Sequence, residues 1–215
     1  MGGEGIDPAA PHADALRAIS VADERMAVLV ARVGPCGLVA GRGGGRSHFA
    51  SLVKAIVGQQ LSPKAADTIY ARVAALGAGG QLPEPAGLLE IPEDALRGAG
   101  LSGSKARSIR DLAGRVVSGA LRLEALDEMG EDAIIDTLSE VRGIGRWTAE
   151  MFLIFQLGRP DILPVGDLGV QKGLVRLFKL RKLPSPERMH ALMRPFRPHR
   201  SVVCWYLWRL IDLPK

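Results

Sequence analysis

Length, composition and charge set the first limits on this chain of 215 residues. Hydrophobic residues make up 47% and aromatic residues 5% of it, and no apolar run reaches the length of a membrane span, so the composition excludes a disordered and a membrane-spanning chain. The net charge of +5 favours a polyanionic partner, although many proteins without such a partner carry a similar charge.

The opening residues and the cysteines indicate the compartment. Residues 1–11 have no basic region followed by an apolar core, so they are not a signal peptide and a cytoplasmic location is expected. Cys36 and Cys204 form neither a C-x-x-C pair nor a cluster-ligand pattern, so no zinc or iron–sulfur site is encoded.

In chain order, residues 1–11 are predicted to be a loose tail and GPCGLVAGRGGG, residues 34–45, a glycine-rich loop. We expect residues 1–45 to form an N-terminal tail, a helix and a glycine-rich loop that pack on the main domain, residues 46–215.

From residue 46 onward, apolar residues recur at helical spacing and strand-like alternation is nearly absent. The first helix spans about 46–60, and Ser62 and Pro63 then supply the N-cap and first-turn proline of the next helix. Further helices are predicted in IPEDALRGAG, SGSKARSIRDLAGRVVSG and GEDAIIDTLSEV and at about 146–157, 167–180, 186–194 and 199–211. The prediction is an all-α fold with short connections.

Two glycines interrupt this helical pattern in VRGIGRWTAE, residues 141–150. The segment RGIG joins two predicted helices and so forms a helix–hairpin–helix. Gly143 and Gly145 can adopt positive φ, which allows a sharp turn and leaves backbone N–H groups unpaired where the second helix begins. Such a helix start suits a phosphate group, but a plain corner between two helices explains the pattern about equally well.

A proline-containing loop, LGRPDILPVGDLGVQKGL, then brings Asp167 to the first turn of another helix. Taken alone, Asp167 is most simply explained as an N-cap. The hairpin, Trp147, the proline loop and Asp167 occur together in this order, however, and the combination is more specific than any of its parts.

This combination resembles the helix–hairpin–helix Gly/Pro-Asp superfamily of DNA glycosylases, and within it the DNA-3-methyladenine glycosylase II family. The resemblance runs from about Phe49 to Leu210 and is carried by AIVGQQLSPKAADTIYARV, LRGAGLSGSKARSIRDLA, VRGIGRWTAEMFLIF, GRPDILPVGDLGVQ and FRPHRSVVCWYLWR. It implies a two-lobed, all-α helical glycosylase fold in a compact form, without the N-terminal β-domain of longer members.

The resemblance also implies a reaction, which is hydrolysis of the N-glycosidic bond of alkylated purines such as 3-methyladenine and 7-methylguanine in base excision repair. It places Asp167 as the catalytic carboxylate, which stabilises positive charge on the deoxyribose or acts as a general base on water. Trp147 is placed in the base pocket, where its indole can stack on a flipped cationic purine; a core tryptophan is the alternative. Met151 and His199 occupy further pocket positions, although His199 can instead cap a helix.

Position 147 separates subfamilies as well. Relatives that also cleave the strand, such as endonuclease III and the 8-oxoguanine glycosylases, carry a nucleophilic lysine at the matching place, where this chain has Trp147. Without an amine there no Schiff base forms, so a monofunctional enzyme without lyase activity is expected. Trp205 and Trp208, three residues apart on the last helix, are expected to lie in the core.

Base extrusion requires a side chain that fills the gap in the duplex, and the resemblance places this wedge at the QQLS corner. Gln60 falls at the matching position, and Leu61 is the alternative. For Gln59, a plain polar helix end is at least as good an explanation. The other residues expected to contact DNA lie in or directly after the hairpin: Arg142, Gly143, Gly145, Arg146 and Thr148.

No cofactor is expected to be required. Relatives commonly bind a structural cation (Na⁺, K⁺ or Mg²⁺) through hairpin carbonyls, which here are those of Ser139, Val141 and Ile144. The expected partner is double-stranded DNA containing alkylated bases, with no membrane partner, and we expect a monomer in a bacterial cytoplasm, associated with the nucleoid.

Two functions from other classes compete with the glycosylase. A non-catalytic helix–hairpin–helix DNA-binding protein needs the hairpin but neither Asp167 nor a base pocket. A helix-turn-helix regulator needs a recognition helix with more Arg, Asn or Gln than RWTAEMFLIFQLG offers.

Overall fold

A computed structural model describes residues 12–38 and 45–214. These residues form α-helices, short 3-10 turns and loops, without a strand among them, so the predicted all-α class is confirmed. The predicted tail, residues 1–11, and residues 39–44 of the predicted glycine-rich loop lie outside the described residues, as does residue 215.

The described ranges contain the following α-helices: α1 (Ala13–Ala22), α2 (Glu24–Val33), α3 (His48–Gly58), α4 (Pro63–Ala74), α5 (Pro85–Glu90), α6 (Glu93–Gly98), α7 (Gly103–Val117), α8 (Glu131–Ser139), α9 (Arg146–Phe155), α10 (Leu168–Phe178), α11 (Pro186–Met193) and α12 (Arg200–Asp212). Serines cap several of them as predicted; the Ser62 side chain, for example, accepts the backbone N–H of Ala65 at the start of α4.

Two features of this helix order were not predicted. The helix α5 begins at Pro85 and is too short to show an apolar repeat in the sequence. Near the N-terminus two helices stand where one was expected, because Asp23 has an extended backbone that ends α1. The Asp23 side chain then accepts the backbone N–H of Arg25 as the N-cap of α2.

The chain divides into two compact units, which we call the central unit, Arg42–Phe152, and the terminal unit, Met1–Gly41 with Leu153–Lys215. These are units of internal contact, so the predicted division into residues 1–45 and 46–215 stays a prediction. Among the described residues, no helix is both long and apolar enough to cross a membrane.

The core of the central unit is built around α7, which packs against α3, α5 and α6. Apolar residues at helical spacing place one face of α7 in this core, with Ile109 and Leu112 inaccessible to solvent. Leu52 and Ile56 of α3 are buried as completely, so α7 and α3 have fixed positions within this unit.

The core of the terminal unit is built around α12, against which α1, α2 and α10 pack. The contact between α10 and α12 is very close at Gly173, where a β-carbon would lie 2.7 Å from Cβ of Leu207. Tyr206 is buried on the same helix and donates a hydrogen bond to the Gly34 carbonyl at 2.7 Å. The helix α12 is therefore held tightly by its neighbours in the terminal unit.

Candidate functional site

The predicted hairpin is present in the central unit, between the end of α8 at Ser139 and the start of α9 at Arg146. Gly143 has φ +77, and a β-carbon there would lie 2.5 Å from Oγ of the buried Ser108. Gly145 has a φ outside the left-handed range and nothing within 4 Å of a β-carbon. The expectation of positive φ is therefore confirmed for Gly143 and wrong for Gly145, because the turn needs only one left-handed residue.

The backbone N–H groups of the hairpin divide into used and available donors. Ile144 donates to the Val141 carbonyl at 3.0 Å, and Arg142 donates to Oδ2 of Asp111 at 2.8 Å. Within the described part of the chain, the N–H groups of Gly143 and Gly145 have no hydrogen-bond acceptor, and both glycines are exposed. A phosphate group can accept hydrogen bonds from two exposed backbone N–H groups at a helix start.

Trp147 lies in the first turn of α9 and is 47% exposed, so the alternative of a core tryptophan is wrong. Met151, one turn later and half-buried, lies on the same helix face. Thr148 is only 5% exposed, so a DNA contact through its side chain is not supported. Arg146 is exposed, and its Nε lies 3.0 Å from Oε1 of the buried Glu150. The arginine therefore neutralises Glu150 and places its guanidinium near the hairpin.

Asp167 is the N-cap of α10, and its side chain is almost fully buried, with 8% of the residue exposed. Its Oδ1 accepts the Val170 backbone N–H at 2.7 Å and Nε1–H of Trp208 at 2.9 Å. The simple N-cap explanation is therefore confirmed, but the indole is a second donor that an ordinary cap lacks. Together the two donors fix the orientation of the carboxylate.

Trp208 reaches this carboxylate because the intervening position carries no side chain. A β-carbon on Gly169 would lie 2.8 Å from Cδ1 of Trp208 and 3.0 Å from Oδ1 of Asp167. The indole is half-buried and stacks on the exposed ring of Phe155, with 5.6 Å between ring centroids. The expectation that Trp208 is a core residue is wrong, since its polar atom serves Asp167; Trp205, which contacts Tyr206 edge to face, has a packing role.

The proline loop before Asp167 is tied to the start of α12. Oδ1 of Asp161 accepts Nε–H of Arg200 at 2.7 Å, and Arg197 donates to the same carboxylate. Burial acts to raise the pKa of Asp161, but hydrogen bonds from both arginines outweigh it and hold this pKa below its ordinary value. The Ser201 hydroxyl also accepts the Ile162 N–H at 3.0 Å, so the segment that leads to Asp167 is fixed at several points.

His199, expected either in the pocket or as a helix cap, occupies the N-cap position of α12. Its side chain makes no capping hydrogen bond and is half-buried. His199 therefore occupies the N-cap position without capping the helix through its side chain, and the pocket role stays a prediction.

The QQLS corner lies between α3 and α4 in the central unit. Gln60 has φ +58 and is exposed, and Leu61 is 38% exposed, so either side chain is accessible to a DNA duplex. The Gln59 side chain is not part of a plain polar helix end, because its Nε2 donates to the Gly143 carbonyl of the hairpin at 2.7 Å.

The predicted site residues thus lie in two groups, one in each unit. The terminal unit holds Asp167 and His199, and the central unit holds the wedge candidates, the hairpin, Trp147 and Met151. Among the described residues, no group of His, Cys, Asp and Glu side chains could hold a metal ion. The predicted cation would use backbone oxygens instead.

Comparison with known proteins gives concordant matches. Residues 53–198 match the model of the HhH-GPD superfamily of base excision DNA repair proteins. The chain is 34% identical over 171 residues to DNA-3-methyladenine glycosylase 1 of Schizosaccharomyces pombe, covering 78% of this chain and 74% of that protein.

Two solved structures are similar over most of the chain. One is the Schizosaccharomyces pombe 3-methyladenine DNA glycosylase Mag1 in complex with abasic DNA, with a TM-score of 0.83, 31% identity, and coverage of 94% of this chain and 100% of that one. The other is a DNA-3-methyladenine glycosidase from Bacillus halodurans, with a TM-score of 0.78, 36% identity, and coverage of 91% and 88%.

Proposed function

Because this chain belongs to the HhH-GPD superfamily of base excision DNA repair proteins, we propose that it is a DNA-3-methyladenine glycosylase acting on duplex DNA. Its substrates are alkylated bases of the 3-methyladenine and 7-methylguanine type, which it flips out of the helix and releases by hydrolysis. The relatives of that name support this substrate class. The buried Asp167 carboxylate, oriented by the Trp208 indole, is the main structural support for the reaction.

In the proposed reaction, the bond between C1′ and the purine nitrogen breaks and its electron pair leaves with the base. An alkylated purine is already cationic, so it departs as a neutral molecule and needs no strong general acid. The deoxyribose becomes positively charged as the bond stretches, and a buried, oriented carboxylate stabilises such charge far better than one in water. Water then adds to C1′ and loses a proton, with Asp167 as its acceptor or as the group that orients it.

Trp147 is the proposed stacking surface for the extruded base. An indole face attracts a cationic purine, and Trp147 presents 47% of its surface to solvent in the first turn of α9. Because the same position lacks an amine, the enzyme is proposed to leave an intact abasic site without cleaving the strand.

The hairpin is the proposed phosphate grip. The N–H groups of Gly143 and Gly145 supply the donors, and the positive end of α9 adds favourable charge, so the contact is independent of base sequence. A structural Na⁺, K⁺ or Mg²⁺ bound by the carbonyls of Ser139, Val141 and Ile144 fits this arrangement, since carbonyl oxygens are hard donors. Val141 accepts one hydrogen bond and keeps a second lone pair. The cation would add positive charge toward the phosphate.

The proposed partner is double-stranded DNA, and the proposed location is the cytoplasm, in contact with the nucleoid. The alternative is a non-catalytic helix–hairpin–helix DNA-binding protein, which would use the hairpin and leave Asp167 as a cap only.

Excision assays on duplexes that each contain one defined lesion test the proposal directly. The wild-type protein is expected to release alkylated purines, leave intact abasic sites and form no borohydride-trapped adduct. Asp167→Asn is expected to lower single-turnover excision by about two orders of magnitude or more while keeping most of the DNA affinity. The matched control is Asp212→Asn, at an exposed carboxylate of α12 that pairs with Arg209. Equal excision by the two variants would remove Asp167 from the mechanism, and no excision by wild type would favour the binding protein.

A further inference from the structure

One face of α7 touches both of the proposed DNA-contacting elements of the central unit. Lys105, Ser108 and Asp111 are spaced three residues apart along this helix and so lie on one face. Lys105 reaches the QQLS corner, whereas Ser108 and Asp111 reach the hairpin.

Lys105 holds the end of α3 at the corner. Its ammonium donates to the Val57 carbonyl at 2.8 Å and to the Gln59 carbonyl at 2.7 Å. Carbonyls at a helix end lack intrahelical partners, and a cation there is favoured by the helix dipole. Lys105 is half-buried, and burial lowers its pKa from the ordinary value. Gln60 follows directly with its left-handed backbone.

Asp111 holds the hairpin by a hydrogen bond, and Ser108 packs against it. Oδ2 of Asp111 accepts the Arg142 N–H at 2.8 Å, and Arg115 pairs with Asp111 at 3.2 Å from the next turn of α7. The Ser108 side chain lies directly beneath Gly143. The hairpin backbone is therefore fixed to α7 at two neighbouring positions.

The Gln59 side chain joins the two elements to each other. Its own carbonyl accepts from Lys105, and its Nε2 donates to the Gly143 carbonyl at 2.7 Å. The corner, the hairpin and α7 thus form a closed set of hydrogen bonds, in which no side chain needs to contact DNA.

We propose that Lys105 and Gln59 are positioning residues for base extrusion, which hold the corner bearing Gln60 and Leu61 at a fixed distance from the phosphate-gripping hairpin. This rests on the proposed function, because it requires that the hairpin binds phosphate and that the corner enters the base stack. Fixing the two elements relative to each other lets one binding event place the wedge, without a separate ordering cost for the corner. Loss of the link is then expected to impair extrusion while phosphate binding persists.

The test compares Lys105→Met and Gln59→Leu with Lys54→Met in the full-length protein. Lys54→Met removes the same charge from the same unit, but Lys54 pairs with Asp67 and not with the corner. Extrusion is followed by the fluorescence of 2-aminopurine placed beside the lesion, undamaged-duplex affinity by anisotropy at fixed salt, and folding by thermal melting.

Each of the two variants is expected to lower the extrusion equilibrium constant about tenfold or more, as expected for a lost hydrogen bond to a charged or buried partner. Their affinity for undamaged duplex is expected to stay within about twofold of the Lys54→Met control, since phosphate contacts carry no information on extrusion. The double variant is expected to lose less than the product of the single losses, because both changes act on Gln59. Lys105→Arg, which keeps a charged donor, is expected to restore part of the extrusion.

Extrusion equal to the Lys54→Met control, or a loss of extrusion matched by an equal loss of undamaged binding, would overturn the inference. If Lys105→Met does not fold, Gln59→Leu decides, because it removes only the bond to Gly143 from a residue at the surface. A wild-type protein that neither extrudes nor excises an alkylated base overturns the proposed function together with the inference. An active wild type whose variants match the control overturns the inference alone.

Discussion

Replacing Gly143 by alanine is expected to destabilise the protein by about 2–4 kcal/mol, whereas the same change at Gly145 is expected to cost less than about 0.5 kcal/mol. The two glycines are one residue apart, equally exposed and in the same hairpin, so each is a control for the other. Of the two, only Gly143 has a left-handed backbone and a neighbour close to where a β-carbon would lie.

The magnitude has two parts. A residue with a β-carbon pays about 1–2 kcal/mol in the left-handed region. The new β-carbon would also lie 2.5 Å from Oγ and 3.2 Å from Cβ of Ser108, which is buried on α7 with its hydroxyl hydrogen-bonded to the Ser104 carbonyl, at a further cost of about 1–2 kcal/mol. Ser108→Ala removes the nearer atom, so the double variant is expected to be more stable than the sum of the single effects predicts, by about 1 kcal/mol.

Thermal and urea unfolding of the wild type and the four variants measure these differences. For a chain of this length, a loss of 3 kcal/mol corresponds to a fall in Tm of about 6–12 °C. Equal stability of the Gly143→Ala and Gly145→Ala variants, or strict additivity of Gly143→Ala with Ser108→Ala, would refute the assignment of strain and crowding to Gly143.

Three further predictions concern the candidate site and its support. Trp208→Phe keeps a ring for stacking but removes the indole donor to Asp167, so single-turnover excision should fall about tenfold while DNA affinity measured by anisotropy is kept. Trp147→Ala should lower excision of cationic bases at least tenfold in the same assay, as expected for loss of base stacking, yet change Tm little because the side chain is already exposed. Asp161→Asn should cost about 3 kcal/mol at neutral pH in urea unfolding, since it leaves the Arg200 guanidinium, on a side chain only 11% exposed, without its carboxylate. Because the folded pKa of Asp161 is lowered, this contribution is fully present above the ordinary value of 3.8 and is lost as pH falls through the folded value.

Each of these has an outcome that contradicts it. Normal excision by Trp208→Phe would mean that the indole donor is not needed to orient Asp167. A large fall in Tm for Trp147→Ala would return this residue to a packing role. A stability difference for Asp161→Asn that persists unchanged at pH values well below 3.8 would show that its charge is not what the arginines stabilise.

The helical architecture could be predicted from the sequence because its signals are local. Ser62 and Pro63 mark a helix start through their own chemistry, and the glycines of the hairpin mark a break in an apolar repeat. The choice of Gly143 over Gly145 as the left-handed residue could not be read locally, since Ser108, distant in the sequence, decides what fits there.

The residues that hold the candidate site in place could not be predicted for a related reason. Trp208 lies on an apolar helix and looks like a core residue until its nitrogen is seen to meet Asp167 from 41 residues away. Lys105 and Gln59 act on backbone carbonyls at separations of 46 and 84 residues, and a carbonyl leaves no mark in the sequence. Which carbonyl a donor reaches depends on the folded structure, so the sequence could at most have suggested Lys105 and Gln59 as donors.

The close approach of α10 and α12 bears on how this protein can adapt to other lesions. At Gly169 and again one turn later at Gly173, a β-carbon would lie within 3 Å of Trp208 or Leu207. A side chain at either position would displace α12, so changes in substrate range are expected at other positions. Under the proposed function, the half-buried pocket candidates Met151 and His199 are such positions, so the carboxylate can stay in place while the range of excised bases changes.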